Sequence, residues 1–184
     1  MEELARAFIA IEFPDEVIKE VARVQGVLGK KNFTGKMIEL ANLHLTLKFL
    51  GEISFDKLKE VKKKLGEVKL KGFEACLSEI GEFSHRGNPR IVWVKIGGGG
   101  IFELQEEVDM KMKELDFKME ERFMSHVTIA RVKYVKDKKD FIKYARNMGV
   151  KEISFPVKKF ILMKSELKRD GPVYTKIEEY ELGN

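Results

Sequence analysis

The tetrapeptide His44-Leu45-Thr46-Leu47 returns later in the chain as His126-Val127-Thr128-Ile129. Both copies lie in runs of strand-favouring residues, Leu43 to Leu50 and Val127 to Val132. In a strand, successive side chains alternate between faces. His44 and Thr46 are therefore expected together on one face, with Leu45, Leu47 and Phe49 packed on the other. His126 and Thr128 are expected together in the same way, backed by Val127 and Ile129. The chain has 3 histidines, and two of them fall in this pattern. Such a chain must bury one side of two strands while each presents an imidazole and a hydroxyl on the other.

The rest of the chain reads as strands and helices alternating around these two. Arg6 to Phe13 predicts an opening strand, with Arg6, Phe8 and Ala10 on one face. Pro14-Asp15 opens a helix whose Val17, Val21, Val24 and Leu28 recur at helical spacing, and Gly29 closes it. A basic loop, Lys30-Lys31-Asn32, leads to a short strand near Met37 to Leu40 and then to the first motif strand, which Gly51 is expected to end. Leu58, Val61 and Leu65 mark a second helix. Gly72 to Ile80 and Arg90 to Ile96 read as strands flanking a polar loop, Ser84 to Pro89. Gly97 to Gly100 is a flexible link and lacks the Lys-Ser/Thr of a phosphate-cradling loop. Ile101, Leu104, Val108 and Leu115 predict a third helix before the second motif strand. A helix around Lys138 to Asn147 follows, then strands Phe155 to Met163 and Val173 to Leu182 joined by a turn at Lys168 to Pro172. Each half thus runs strand, helix, motif strand, helix, strand, the plan of a duplication in which the motif strands face one another across a cleft.

Composition narrows the class. At 184 residues with 43% hydrophobic and 35% charged residues, the chain can bury a substantial core. Its one cysteine, Cys76, excludes an internal disulfide framework and a cysteine-rich metal site. No apolar run approaches the roughly 20 residues of a membrane span, and Met1-Glu2-Glu3 lacks the basic start of a signal peptide, so a cytoplasmic location is expected. The net charge of +5 permits an anionic partner such as nucleic acid without naming one. Lys and Glu abound while glutamine occurs only at Gln25 and Gln105, a bias of thermophile proteins.

Histidine titrates near neutrality, so a pair can supply a base and an acid at once. A threonine two residues on adds a hydroxyl that can bind an oxyanion beside the imidazole. Two such units related by approximate two-fold symmetry can hold one phosphate from both sides, as in-line displacement at phosphorus requires. Each placed acid or base contributes about 100- to 10,000-fold. Two histidines without a neighbouring Asp, Glu or Cys lack the ligand set of a common zinc site. His85, in the polar loop, is expected to be solvated. Lys48 is expected on the face of His44 and Thr46, where it could favour an anionic partner or simply be a solvated strand end. Phe8 could stack an aromatic partner or pack in the core. Strict alternation puts Arg131 opposite His126 unless the strand twists or ends.

His44-Leu45-Thr46-Leu47-Lys48-Phe49-Leu50-Gly51 and His126-Val127-Thr128-Ile129-Ala130-Arg131 resemble the paired motifs of the 2H phosphoesterase superfamily. Within it the chain is similar to the RNA 2',3'-cyclic phosphodiesterases of bacteria and archaea, also called the 2'-5' RNA ligase family. Arg6 to Ile11, Asn42-Leu43, Pro89 to Trp93, Arg122-Phe123, Ser165 to Leu167 and Gly171 to Tyr174 extend the likeness. Met124-Ser125 depart from it, standing where related sequences commonly have Arg-Pro.

The resemblance implies a bilobal α+β fold over residues 1–184, with two pseudo-symmetric lobes and antiparallel sheets around a central cleft, one motif from each. It implies cleavage of RNA 2',3'-cyclic phosphate ends, tRNA fragments among them, to 2'-phosphates by a monomer without metal or cofactor, and reverse ATP-independent 2'-5' ligation. Carried over by position, His44 is the proton donor, His126 the proton acceptor, Thr46 and Thr128 bind phosphate, and Arg131 and Phe8 bind substrate. Two other functions fit the same residues: a phosphodiesterase for a small cyclic phosphate derived from ADP-ribose or a nucleotide, and a non-catalytic module that holds RNA ends.

Overall fold

The computed structural model describes residues 4–169 and 171–183, so Asp170 of the expected final turn and the Met1 to Glu3 segment lie outside the described residues. The elements run β1 (Leu4–Glu12), α1 (Asp15–Leu28), β2 (Thr34–Met37), β3 (His44–Ser54), α2 (Phe55–Leu65), β4 (Phe73–His85), β5 (Asn88–Gly97), α3 (Gly99–Lys113), β6 (His126–Tyr134), α4 (Lys138–Asn147), β7 (Ser154–Val157), β8 (Lys159–Lys168) and β9 (Gly171–Glu181). One antiparallel sheet takes the strands in the order β7-β4-β5-β6-β3-β1-β8-β9, and β2 pairs with β6 off that path. Exchanging β3 with β6, β1 with β5, β8 with β4 and β9 with β7 leaves this order reading the same backwards. The strand order of this one sheet thus has an approximate two-fold symmetry that relates the two motif strands. The motif strands are neighbours at the centre of the sheet and share one registered pair, Leu45 opposite Val127.

The sheet is curled because the chain allows nothing flatter. β7 pairs with β4 towards one end of the strand order, and β8 pairs with β1 and β9 towards the other. Only Lys158 separates β7 from β8, so both ends of the sheet must come together there. The seam is tied by Leu182 N–H donating to the Lys158 carbonyl and Gly183 N–H to that of Leu70, each at 2.7 Å. This break replaces the single strand expected from Phe155 to Met163.

All four helices pack against one face of the sheet, sharing a core with the alternate strand residues that include Ile9, Leu45, Val94 and Val127. In α1, Val17, Val21, Val24 and Leu28 are fully buried. Its start is set by Pro14, whose carbonyl accepts from Val17 and Ile18 N–H, and by Asp15 and Glu16, favourable at the positive end of the helix dipole. Helix α1 follows β1 yet lies under β6, whereas α3 follows β5 yet lies under β3. Each motif strand is thus supported by the helix of the opposite half. No helix among the described residues is long and apolar enough to cross a membrane.

Several local expectations need correction. Gly51 does not end β3: it adopts φ 73° within an irregular register against β1, and pairing continues to Ser54. A glycine tolerates that backbone without the Cβ clash other residues meet. The short strand expected near Met37 to Leu40 lies earlier, at Thr34–Met37, and Leu40–Asn42 forms a single 3-10 turn. The expected loop from Ser84 to Pro89 shrinks to Arg86 and Gly87, both at positive φ, as a two-residue hairpin turn requires. His85 is exposed there, as expected.

Lys48 does not share the face of His44 and Thr46. It is 4% exposed and ion-paired with buried Asp109 of α3, and it donates to the Lys118 carbonyl at 2.6 Å. Asp109 also accepts from Glu120 N–H at 2.6 Å and from Gln105 Nε2 at 3.3 Å. The pair therefore ties β3, α3 and the segment leading to β6 together. Removing one partner of a buried pair leaves the other charge unpaired, which costs about 3–5 kcal/mol. Asp109→Ala is expected to lose stability of that order in chemical denaturation; a change under about 1 kcal/mol would show that the ammonium finds water or another partner.

Candidate active site

The two motif strands have the same profile of exposure for seven residues, His44 to Leu50 and His126 to Val132: half-buried, buried, half-buried, buried, buried, exposed, buried. The two consecutive buried residues mark a bulge in each. Against β1, Ile9 pairs with Lys48 and Ala10 with Thr46, leaving Leu47 as the extra residue. Against β5, Val92 pairs with Ala130 and Trp93 with Thr128, leaving Ile129 as the extra residue. An extra residue inverts the alternation beyond it. Arg131 consequently returns to the face of His126 and Thr128, and Phe49 turns to the face of His44 and Thr46. Phe49 is 71% exposed rather than packed behind the motif. The fifth residue after each histidine is thus an arginine in one half and a phenylalanine in the other.

With Leu45 opposite Val127, antiparallel register sets His44 across from Thr128 and Thr46 across from His126. The histidines are then diagonal neighbours, a relation that spaces Cβ atoms about 7–8 Å apart. Each imidazole is anchored alike. His44 Nδ1 lies 2.8 Å from the Asn42 carbonyl, and His126 Nδ1 lies 2.7 Å from the Met124 carbonyl. A carbonyl can only accept, so Nδ1 carries the proton in both rings and Nε2 is left as the reactive nitrogen.

Aromatic side chains wall both imidazoles. The Phe8 ring lies 4.8 Å from His44 and the Tyr174 ring 5.1 Å from it, edge-on. Phe83 lies 5.1 Å from His126 and Trp93 6.4 Å from it. Trp93 lies over Gly81, where an added Cβ would meet its ring at 2.3 Å. Burial among these rings disfavours the charged imidazole and lowers both histidines below their ordinary 6.5, while the hydrogen bonds to Asn42 and Met124 pull the other way. Glu12, opposite His44 in register, adds a second upward pull on that ring. The matching place opposite His126 holds Lys95. Glu12 therefore distinguishes the two imidazoles, favouring the charged form of His44 with no matching carboxylate opposite His126, although Glu12 also meets Lys176 and Lys95 meets Glu79.

Of the residues singled out in the sequence, His44, Thr46, His126, Thr128 and Arg131 share this face. Phe8 is there too, but it is 3% exposed, its ring against His44 and Tyr174, and the exposed aromatic on this face is Phe49. Gln25, a residue with no assigned role in the sequence, is a polar residue inside the apolar stripe of α1. Its Nε2 donates to the carbonyls of Ile38 and Ile129, both at 2.8 Å, and Ile38 N–H also donates to Ile129 at 2.9 Å. It thereby holds the carbonyl of the extra residue in β6, as Asp109 holds the lysine after the extra residue in β3. Ser125, at the departure from the family pattern, is 2% exposed, with no hydrogen-bond partner for its Oγ. Among the described residues, no three His, Cys, Asp or Glu side chains are grouped to hold a metal ion.

The chain is similar in sequence and fold to known proteins. The model of the LigT-like phosphoesterase family matches residues 11–93 and 97–174. A Methanocaldococcus jannaschii protein named RNA 2',3'-cyclic phosphodiesterase is 34% identical over 178 residues, covering 95% of this chain and 99% of the relative. A crystal structure from Thermus thermophilus superposes with TM-score 0.79 at 30% identity, covering 97% of this chain and 99% of that one. The crystal structure of E. coli LigT complexed with 3'-AMP gives TM-score 0.76 at 25% identity, covering 99% of this chain and 100% of that one.

Gln25→Leu keeps the size of the side chain and removes the donor to both carbonyls. It is expected to cost about 1–3 kcal/mol of stability, the desolvation of buried acceptors left short of partners, and to loosen the backbone that turns Arg131 to the site. An amide-exchange comparison should show weaker protection at Ile38 and around Ile129; unchanged protection would show that the bulge holds without Gln25.

Proposed function

The chain belongs to the LigT-like phosphoesterase family, and on that basis we propose that it hydrolyses RNA 2',3'-cyclic phosphate ends to 2'-phosphates by acid–base catalysis between His44 and His126. The observation that carries this reading is the matched anchoring of the two imidazoles, each fixed through Nδ1 so that its Nε2 is available on one face with two threonine hydroxyls. A phosphate between diagonal neighbours on adjoining strands comes within hydrogen-bond reach of both, about 3 Å. His126 Nε2 takes a proton from water as the water oxygen bonds to phosphorus. The P–O3' bond breaks, and His44 Nε2–H protonates O3', leaving a 3'-hydroxyl and a 2'-phosphate. Thr46 and Thr128 donate to the non-bridging oxygens, whose charge grows in the transition state, and Arg131 adds positive charge for the same anion.

Glu12 opposite His44 favours this assignment of roles over its reverse, since its charge supports the protonated form of that ring and the acid must hold its proton. One chain supplies both histidines, one from each lobe of a single unit, so a monomer suffices. A 5'-hydroxyl in the place of water attacks the same phosphorus, with O3' again leaving and protonated, and gives 2'-5' joining without ATP.

The direct test is to incubate RNA ending in a 2',3'-cyclic phosphate with the protein and EDTA, then identify the product. A 2'-phosphate is expected, and His44→Ala and His126→Ala should each reduce the rate at least about 100-fold. A 3'-phosphate product, a requirement for added metal, or a few per cent of activity in either variant would contradict the mechanism.

The pH dependence follows from the same groups. Burial lowers both imidazoles, so each gains its proton only below the ordinary histidine range. One ring must be protonated while the other is neutral, so activity falls when both are neutral and again when both are protonated. The kcat/KM profile should be a bell centred below pH 6.5. Glu12→Gln removes the charge that supports protonated His44 and should move one limb of the bell to lower pH; a profile that stays in place would show that Glu12 does not act on that ring.

A further inference from the structure

Beyond the reacting phosphate, the same face carries two exposed arginines, Arg6 and Arg131, neither of which makes an ion pair within 4.0 Å among the described residues. Arg131 arrives from β6 through its bulge. Arg6 arrives from the other half, and nothing said so far gives it a role.

The order of side chains along β1 and β3 gives it one. Outward from the catalytic threonine, the pairs are Ala10 with Thr46, Phe8 with Phe49, and Arg6 with Glu52. Phe8 is buried and Phe49 is 71% exposed, so the surface reads anion site, aromatic face, cation. Glu52 lies across from Arg6 without pairing with it. Arg6 is four residues from Ala10, about 13 Å at 3.3 Å per residue, and a long arginine side chain can span part of that distance back towards the site. The interval suits one nucleoside between two phosphates. Tyr174 supports the placement: its ring is 5.1 Å from His44, and the positive charges of both Arg131 and Arg6 bear on its hydroxyl, offsetting the upward push of burial.

We propose that Arg6 binds the phosphodiester on the 5' side of the terminal nucleotide, with Phe49 facing that nucleotide's base, so that the site prefers an RNA chain to a cyclic mononucleotide. The proposal rests on the cyclic-phosphodiesterase reading and names the second element of its substrate. Aromatic stacking is indifferent to base identity, so the preference concerns chain length rather than sequence.

The test compares adenosine 2',3'-cyclic phosphate, which lacks a 5' phosphodiester, with the ApA dinucleotide carrying the same cyclic end. Wild type should show the lower KM for the dinucleotide. Arg6→Gln should raise the dinucleotide KM roughly tenfold or more, the weight of a charge-assisted hydrogen bond, and leave the mononucleotide within about twofold. Arg6→Lys should fall between, and the salt dependence of dinucleotide KM should weaken in Arg6→Gln by about one phosphate contact. Equal losses on both substrates, or no loss on either, would overturn the proposal. If wild type hydrolyses neither, the catalytic reading fails instead. Arg6 is then judged by calorimetric binding of 3'-AMP against ApA with a 3'-phosphate: Arg6→Gln should abolish the preference for the dinucleotide, and a preference that persists would refute the role.

Discussion

The bridge between Leu45 and Val127 fixes the register of four side chains at once. Strand side chains have a period of two, so a slip of one residue would send the motif side chains of one strand into the core and its apolar residues into the site. The apolar backing prevents that slip: Leu45, Leu47, Val127 and Ile129 are all buried against the helices. The hydrophobic core and the register of the motif side chains are therefore set by the same contacts. Two matching His-x-Thr motifs on adjoining antiparallel strands place an imidazole and a hydroxyl from each strand on one face, an arrangement that would present the same groups to both sides of a phosphate.

The bulges then break that symmetry where the chemistry needs it broken. Both strands take an extra residue three positions after the histidine, and both turn the fifth residue to the site. One half presents Phe49 and the other Arg131. The cross-strand neighbours of the histidines differ as well, Glu12 on one side and Lys95 on the other. A symmetric arrangement would give no direction to proton transfer; in the proposed mechanism Glu12 supplies it by favouring the protonated form of His44, and Phe49 and Arg131 give the two sides of the site different chemistry. Each bulge is held from beneath by a buried polar residue on the helix of the opposite half, Gln25 for β6 and Asp109 for β3, so neither half holds its motif strand alone.

The motif strands, their two faces, the four helices and the duplicated plan were legible because periodicity and a repeated tetrapeptide encode them locally. The bulges were less visible. Their signal is a change of phase in the apolar residues, from Leu45 and Leu47 to Leu50 and Ile53, and from Val127 and Ile129 to Ala130 and Val132. Strict alternation misses it, and so it misplaced Lys48, Phe49 and Arg131 together. Gln25 betrayed itself only as a polar residue in an apolar stripe. The pairing of Glu12 with His44 and of Lys95 with His126 depends on strand order, which no local pattern contains. The break at Lys158 is likewise a consequence of the curl, since its flanking strands read as one continuous run.

The claim on which the rest stands is that both Nε2 atoms address one phosphate. A crystal structure with a nucleoside 2'-phosphate bound measures this directly. The phosphate should lie between the rings, with Nε2 of His44 and of His126 and the hydroxyls of Thr46 and Thr128 all within about 3.2 Å of its oxygens. A phosphate held by one histidine alone, or rings turned so that Nδ1 rather than Nε2 meets it, would contradict the account.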